Sequence, residues 1–150
     1  MQIAVLMDGQ SPGLQALLAR AQSEVARFGH ARDALFSQNK VRVGEFSFET
    51  VRRQLAEALG DPEVDVIWAF GPLASTVAVR RATEGRLSKP VLAPFVLAPL
   101  SGPLKKLNAN RSKLAYIVLT PALATDLRAL RATVPIRKVA YVLPRAVRTA

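Results

Sequence analysis

Short apolar segments alternate with helix-length amphipathic ones along this chain, and that alternation restricts its fold more than any other feature. Residues 2–8, 41–46, 64–70, 90–97, 114–119 and 139–143 are rich in Val, Ile, Leu and aromatic residues and read as strands. Helical spacing joins Leu14, Leu17, Leu18, Ala21, Val25 and Phe28, then Phe48, Val51, Leu55 and Leu59, and later Leu123, Leu127, Leu130 and Val134. Another helix is expected over about residues 72–84. Strands that alternate with helices need right-handed crossovers and a parallel sheet covered on both faces. The expected class is therefore α/β: a three-layer, doubly wound, mainly parallel sheet of flavodoxin-like type, with strand order about 2-1-3-4-5.

Local signals agree with this pattern. Ser11-Pro12, Ser47 and Thr120-Pro121 are N-cap or cap-plus-N1 sequences, while Gly29, Gly60, Gly85 and Pro135 stand where helices stop. Pro94 removes a ladder donor from the fourth strand, which implies an edge position or a bulge. Residues 98–113 read as a loop. A length of 150 residues is enough for one domain with a real core.

The absence of cysteine excludes disulfides and thiolate metal sites. No apolar run approaches the roughly 18 residues of a membrane span. The first eight residues lack the basic region of a signal peptide and read as a strand. The net charge of +10 is uneven: residues 1–75 carry −2 and residues 76–150 carry +12. Such asymmetry marks either an Arg-rich solvated surface or a face for nucleic acid, an anionic membrane or an acidic partner. The basic residues come in pairs such as Arg80-Arg81 and Lys105-Lys106, without the interleaved aromatics that stack bases, so no specific nucleic-acid partner is expected.

The catalytic patterns that the chain superficially matches fail on physical grounds. Gly9 to Gly13 matches the G-x-S-x-G elbow, but Pro12 has no N–H to give an oxyanion hole. The only histidine, His30, lies beyond the far end of the helix that Ser11 opens, about 20 Å or more away. A lone histidine makes no tight metal site, and neither a Walker A nor a dinucleotide-binding glycine pattern occurs. A receiver-type phosphoacceptor fails as well, because the third strand ends in Gly71 and not in an aspartate. Asp61, Glu63 and Asp65 precede that strand at its amino end and read as a solvated connection. The chain is expected to be non-enzymatic, with no cofactor and no metal.

What remains is a set of small and polar residues at strand carboxyl ends. Asp8, Gln10 and Ser11 follow the first strand, Gly71, Pro72, Ser75 and Thr76 follow the third, and Ser101 follows the fourth. Two helix N-termini, hydroxyls and one carboxylate would suit a small polar ligand carrying a carboxylate or similar anion. Each of these residues also has a local explanation in an ordinary strand-to-helix turn. If the crevice is real, Ser75→Trp should block it and leave the fold intact.

The segments Ile3-Ala-Val-Leu-Met-Asp8, Asp61-Pro-Glu-Val-Asp-Val-Ile-Trp-Ala-Phe-Gly-Pro-Leu-Ala-Ser75 and Lys89-Pro-Val-Leu92 carry a family resemblance. In this order they resemble the first lobe of periplasmic substrate-binding components of ABC transporters with the type 1 periplasmic-binding fold. The tryptophan- and tyrosine-type group is the nearest kind. The stretch from Asp126 to Leu143 is similar to that family's crossover helix and first strand of lobe two. The resemblance implies residues 1–113 as the lobe and residues 114–150 as a crossover strand-helix-strand, which completes the lobe or begins a truncated second one. It also implies ligand contacts from Asp8 to Ser11, Gly71 to Thr76 and Leu97 to Ser101. Periplasmic location and a membrane transporter or export partner follow from the same resemblance, although no leader is present and a cytoplasmic location stays open. One lobe cannot close a two-lobe clamp, so the chain is expected to be either a fragment or a lobe kept for docking.

The expected function is thus a non-catalytic lobe that binds a small polar ligand for an ABC-type transport system. Two other readings stay open. One is an interaction module of an envelope export assembly that uses the basic half, possible as a homodimer. The other is part of an enzyme that needs another domain.

Overall fold

The computed structural model describes residues 1–27, 36–97, 104, 113–119, 128, 131 and 132. His30, Ser101 and the expected strand 139–143 lie outside the described residues. Of the expected last helix, Arg128, Arg131 and Ala132 are described; all three are helical and exposed. The chain divides into two compact units, Met1–Leu119 and Thr120–Ala150.

The first unit is a five-stranded, all-parallel sheet in the order 2-1-3-4-5. Its elements are β1 (Ile3–Met7), α1 (Pro12–Arg27), β2 (Val41–Val43), α2 (Phe48–Gly60), β3 (Val66–Phe70), α3 (Pro72–Thr83), β4 (Val91–Leu97) and β5 (Leu114–Leu119). The α/β doubly wound class expected from the alternation of segments is the observed one. The segment Leu114–Leu119, assigned from sequence to the crossover, is hydrogen-bonded into this sheet beside β4.

Every residue of β1 is buried, as a central strand covered on both faces requires. Ala4 and Leu6 face one way and pack with Val51 and Leu55 of α2 and Ala74, Val77 and Ala78 of α3. Val5 and Met7 face the other way, against Leu18 of α1, with Leu14 and Ala21 beside it. That second face also carries an aromatic row. Phe36 meets Trp68 edge-on at 5.1 Å, Trp68 stacks with Phe70 at 6.3 Å, and Phe70 meets Phe95 edge-on at 5.1 Å.

From Leu73 to Val79, α3 is buried without interruption, so it has no polar face there. Its small residues Ala74, Ser75 and Ala78 let it lie close to the sheet. Pro94 sits at a bulge in β4, not at an edge: Ala93 pairs with Tyr116 and Val96 with Val118, so β4 has one residue more than β5 between them. In β5, Tyr116, Ile117 and Leu119 are exposed.

Candidate functional site

In a sheet ordered 2-1-3-4-5 the crossovers reverse direction between β1 and β3, and the carboxyl edge at that point is where open α/β sheets hold ligands. The residues found there begin with Asp8, directly after β1. Its backbone extends the pairing with the chain leaving β2: Gly44 N–H donates to the Met7 carbonyl at 2.8 Å, and Phe46 N–H to the Asp8 carbonyl at 2.7 Å. The approach at Gly44 is too close for a side chain, because a Cβ would fall 2.6 Å from the Asp8 carbonyl oxygen and 2.9 Å from Val51 Cγ2.

The Asp8 side chain turns beneath the start of α3. Leu73 N–H donates to Oδ2 at 2.8 Å and Ala74 N–H to Oδ1 at 2.7 Å. Gly71 precedes the helix with φ +148°, and a Cβ on it would lie 2.4 Å from the Asp8 carboxyl group. Glycine is therefore required there by both conformation and space. Pro72 has no N–H to satisfy, and Ser75 N–H donates to the Gly71 carbonyl at 2.9 Å. The α3 start offered to a ligand by the sequence is thus already occupied by the chain's own carboxylate.

Asp8 is only 4% exposed. Burial pushes its carboxyl group above the usual aspartate range, and the two backbone N–H bonds oppose that shift only in part. The other buried polar residues among those described are Ser75 and Thr76. Ser75 Oγ donates to the Ala69 carbonyl at 3.1 Å and accepts from Phe95 N–H at 3.2 Å. Thr76 Oγ1 donates to the Pro72 carbonyl at 2.7 Å. Ser75 has no exposed surface at all, so Ser75→Trp would force an indole into the core; the expectation that this variant keeps the fold is corrected.

The sequence-derived residues therefore fall into two groups. Asp8, Gly71, Pro72, Ser75 and Thr76 come together, as floor and framework. Gln10 is exposed and Ser11 half-buried on the lip above them. Ser11 Oγ accepts from Leu14 N–H at 3.5 Å, a long cap, and its carbonyl accepts from Gln15 N–H at 2.9 Å.

One lip residue had no signal in the sequence. Phe46 is 53% exposed, holds a left-handed backbone at φ +52°, and lays its ring over Gly9, where a Cβ would lie 2.5 Å from it. A bulky residue in that region is strained, and such strain concentrates at ligand-contacting positions. Between α1 and β2, a groove of about 350 Å³ is lined by the apolar residues Met7, Leu18, Val41 and Val43 together with Gln15, Gln22 and Gln38.

At the opposite, amino edge of the sheet Asp61 and Glu63 form ion pairs and are not merely solvated, while Asp65 accepts from the Gln2 N–H at 2.7 Å. Lys40 Nζ lies 2.8 Å from Asp61 and 2.7 Å from Glu63, and Arg42 lies 3.0 Å from Glu57. The Lys40 contact holds the Asp61 carboxyl below its usual range. Lys89 ties this connection to the carbonyls of Asp61 and Val64. Among the described residues no group of three or more His, Asp or Glu side chains is placed to hold a metal ion. Among them, too, no helix is long and apolar enough to cross a membrane.

Compared with known proteins, the chain matches no family model, no curated sequence and no solved structure.

Proposed function

We propose that this chain is a non-catalytic ligand-binding lobe of a transport system, of the kind that periplasmic substrate-binding proteins use as their first lobe. One observation carries the reading: the exposed side chains of Gln10 and Phe46 and the half-buried Ser11 ring the β1–β3 switch point above a floor locked by Asp8 and Gly71. An aromatic ring and two hydrogen-bonding side chains on a rigid floor are the parts of a small polar-ligand site. They lack the paired nucleophile and base that turnover requires.

The geometry also narrows the ligand. A second anion at the start of α3 would meet the Asp8 carboxylate and find its N–H donors taken. The ligand therefore presents an uncharged or cationic face to β3. Any carboxylate it carries turns toward Ser11 and the start of α1. A neutral or zwitterionic metabolite with a flat or apolar side for Phe46 fits this description, and a second lobe or docked partner would cover it from above. An envelope location with a membrane transporter as partner belongs to the same proposal.

The test is a thermal-shift screen of the purified chain against neutral amino acids, aromatic amino acids and sugars, followed by calorimetric titration. Ligand at 100 times its Kd stabilises the native state by about 2.7 kcal/mol. Phe46→Ala should weaken the binding by about tenfold, or 1.4 kcal/mol, with little change in unliganded stability. No stabilisation from any of these classes, or binding unaltered in Phe46→Ala, would overturn this site.

A further inference from the structure

The two edges of the sheet are finished differently. At one edge β2 is only three residues long, with the charged Lys40 and Arg42 beside and within it. Its outward backbone is taken up by the chain itself: Gln54 Nε2 donates to the Val43 carbonyl at 3.1 Å, and Val41 N–H donates to the Gln38 carbonyl. Short length, charge and a covered backbone are the devices that stop an edge from pairing with another chain. At the other edge β5 has none of them. Its six residues, Leu114 to Leu119, include no charge, proline or glycine, and among the described residues it pairs with β4 alone. Tyr116 is 40% exposed, Ile117 57% and Leu119 40%. We infer that β5 is the pairing edge of a symmetric homodimer, in which the β5 strands of two copies run antiparallel and join their sheets into one.

The backbone supports the pairing first. Val91 N–H donates to the Lys113 carbonyl at 2.8 Å, and Val91 lies opposite Leu114. Alternation along a parallel ladder then turns the N–H and C=O groups of Leu114, Tyr116 and Val118 away from β4, toward the free edge. The bulge between these strands adds its residue to β4, so the alternation in β5 is unbroken.

Symmetry then fixes the register. A two-fold axis perpendicular to the sheet keeps corresponding faces together, so a residue opposes only one whose side chain lies on the same face. Centring on Ile117 sets that residue against its own copy, Ala115 against the other copy's Leu119, and Tyr116 against the other copy's Val118. Every exposed large side chain of the strand then gains an apolar cross-strand neighbour. Centring on Tyr116 would instead set Leu119 against Lys113. Charge favours a second copy as the occupant. In a two-fold contact a charge near the axis meets itself, and each copy carries +10. The uncharged β5 is a surface on which two such copies meet without that repulsion.

The experiment follows the mass of the full chain by sedimentation equilibrium over a range of concentrations, in the parent, Ile117→Lys and Leu17→Lys. Ile117→Lys sets an ammonium group against its own copy and should weaken the dimer about tenfold or more. Leu17→Lys adds the same charge at an exposed position of α1 and should stay within about twofold of the parent. Because the chain has no cysteine, a single introduced thiol reports the register. Oxidised Ile117→Cys should form a disulfide-linked dimer, since the opposed α-carbons there lie about 4.5 Å apart. Leu119→Cys should not, because its two copies are offset along the strands by about 13 Å. Neither cysteine variant adds a charge, so the pair gives a reading even where Ile117→Lys does not fold. A concentration-dependent dimer that Ile117→Lys weakens and Ile117→Cys cross-links supports the inference. A monomer at every concentration, which would leave β5 to the chain's own residues 120–150 or to a different protein, would overturn it. So would a dimer equally stable in Ile117→Lys, or cross-linking of Leu119→Cys in place of Ile117→Cys.

Discussion

Ser75→Ala removes a single oxygen atom, and the structure gives that atom a measurable role. Beyond the Trp68–Leu92 pair the hydrogen-bonded register of β3 with β4 stops. Pro94 then supplies no N–H, and the next donor, Phe95 N–H, reaches Ser75 Oγ at 3.2 Å instead of a strand carbonyl. The hydroxyl passes the connection on to the Ala69 carbonyl at 3.1 Å. It is a strut from α3 inserted where two strands part around a bulge. Without it Phe95 N–H loses its acceptor, at a cost of about 1–3 kcal/mol, and a carbonyl tolerates the loss of one partner more easily. The expected loss is about 2 kcal/mol, a substantial part of the roughly 5–15 kcal/mol that holds a domain together. Urea denaturation should show the midpoint falling by about 1 M at an unchanged slope near 2 kcal/mol/M. Thr83→Ala is the control: that exposed hydroxyl also bonds a carbonyl, that of Arg80 at 2.8 Å, but its loss should stay within about 0.5 kcal/mol. If Ser75→Ala costs no more than Thr83→Ala, the strut is not needed and the reasoning fails.

Two further perturbations probe the floor of the site. The Asp8 carboxyl group titrates above its unfolded value in the folded chain, so its contribution to stability is fully present below the unfolded pKa and is lost as pH rises through the folded one. Asp8→Asn should be less stable than the parent in acid, with the gap narrowing as pH rises through the folded pKa, in urea titrations across about pH 3–7; a gap that widens with pH would contradict the burial argument. Gly71→Ala must hold a strained φ and displace the Asp8 carboxylate from two buried N–H groups, for a combined loss of about 4 kcal/mol or more. Gly60→Ala, where a Cβ meets nothing within 4 Å, should be neutral or slightly stabilising by the same denaturation assay.

The strand order was readable because parallel strands separated by helices leave few chiral arrangements, and because β1 and β3 carry unbroken apolar runs. Pro94 was readable as an edge or a bulge, and only the pairing of β4 on both sides selects the bulge. β2 was read through to Phe46 but stops at Val43, because the chain then passes so close to Asp8 that only Gly44 fits. The contact of Asp8 with residues 65 and 66 positions later in the chain was not legible as a contact. A signal for it was nevertheless present: a helix that opens on Gly71-Pro72 has no capping side chain of its own and needs an acceptor from elsewhere. The carboxylate ending the neighbouring strand is the nearest candidate. Phe46 had no such signal, because its left-handed backbone follows from tertiary packing over Gly9 and not from a glycine or asparagine in the sequence.

The position of Asp8 bears on what kind of molecule the carboxyl edge can take. A helix start that exposes its N–H groups attracts an anion, and a ligand carboxylate there would gain both hydrogen bonds and the helix dipole. In this chain those gains go to Asp8 in every molecule, ligand or no ligand, because its two N–H partners at 2.7–2.8 Å belong to the resting fold. The same carboxylate ties the end of β1 to the start of α3 and makes the floor rigid, so the gain is rigidity in place of anion affinity. In the proposed ligand site, selectivity at this edge would then rest with Phe46, Gln10 and Ser11, which favour shape and neutral hydrogen bonding over charge.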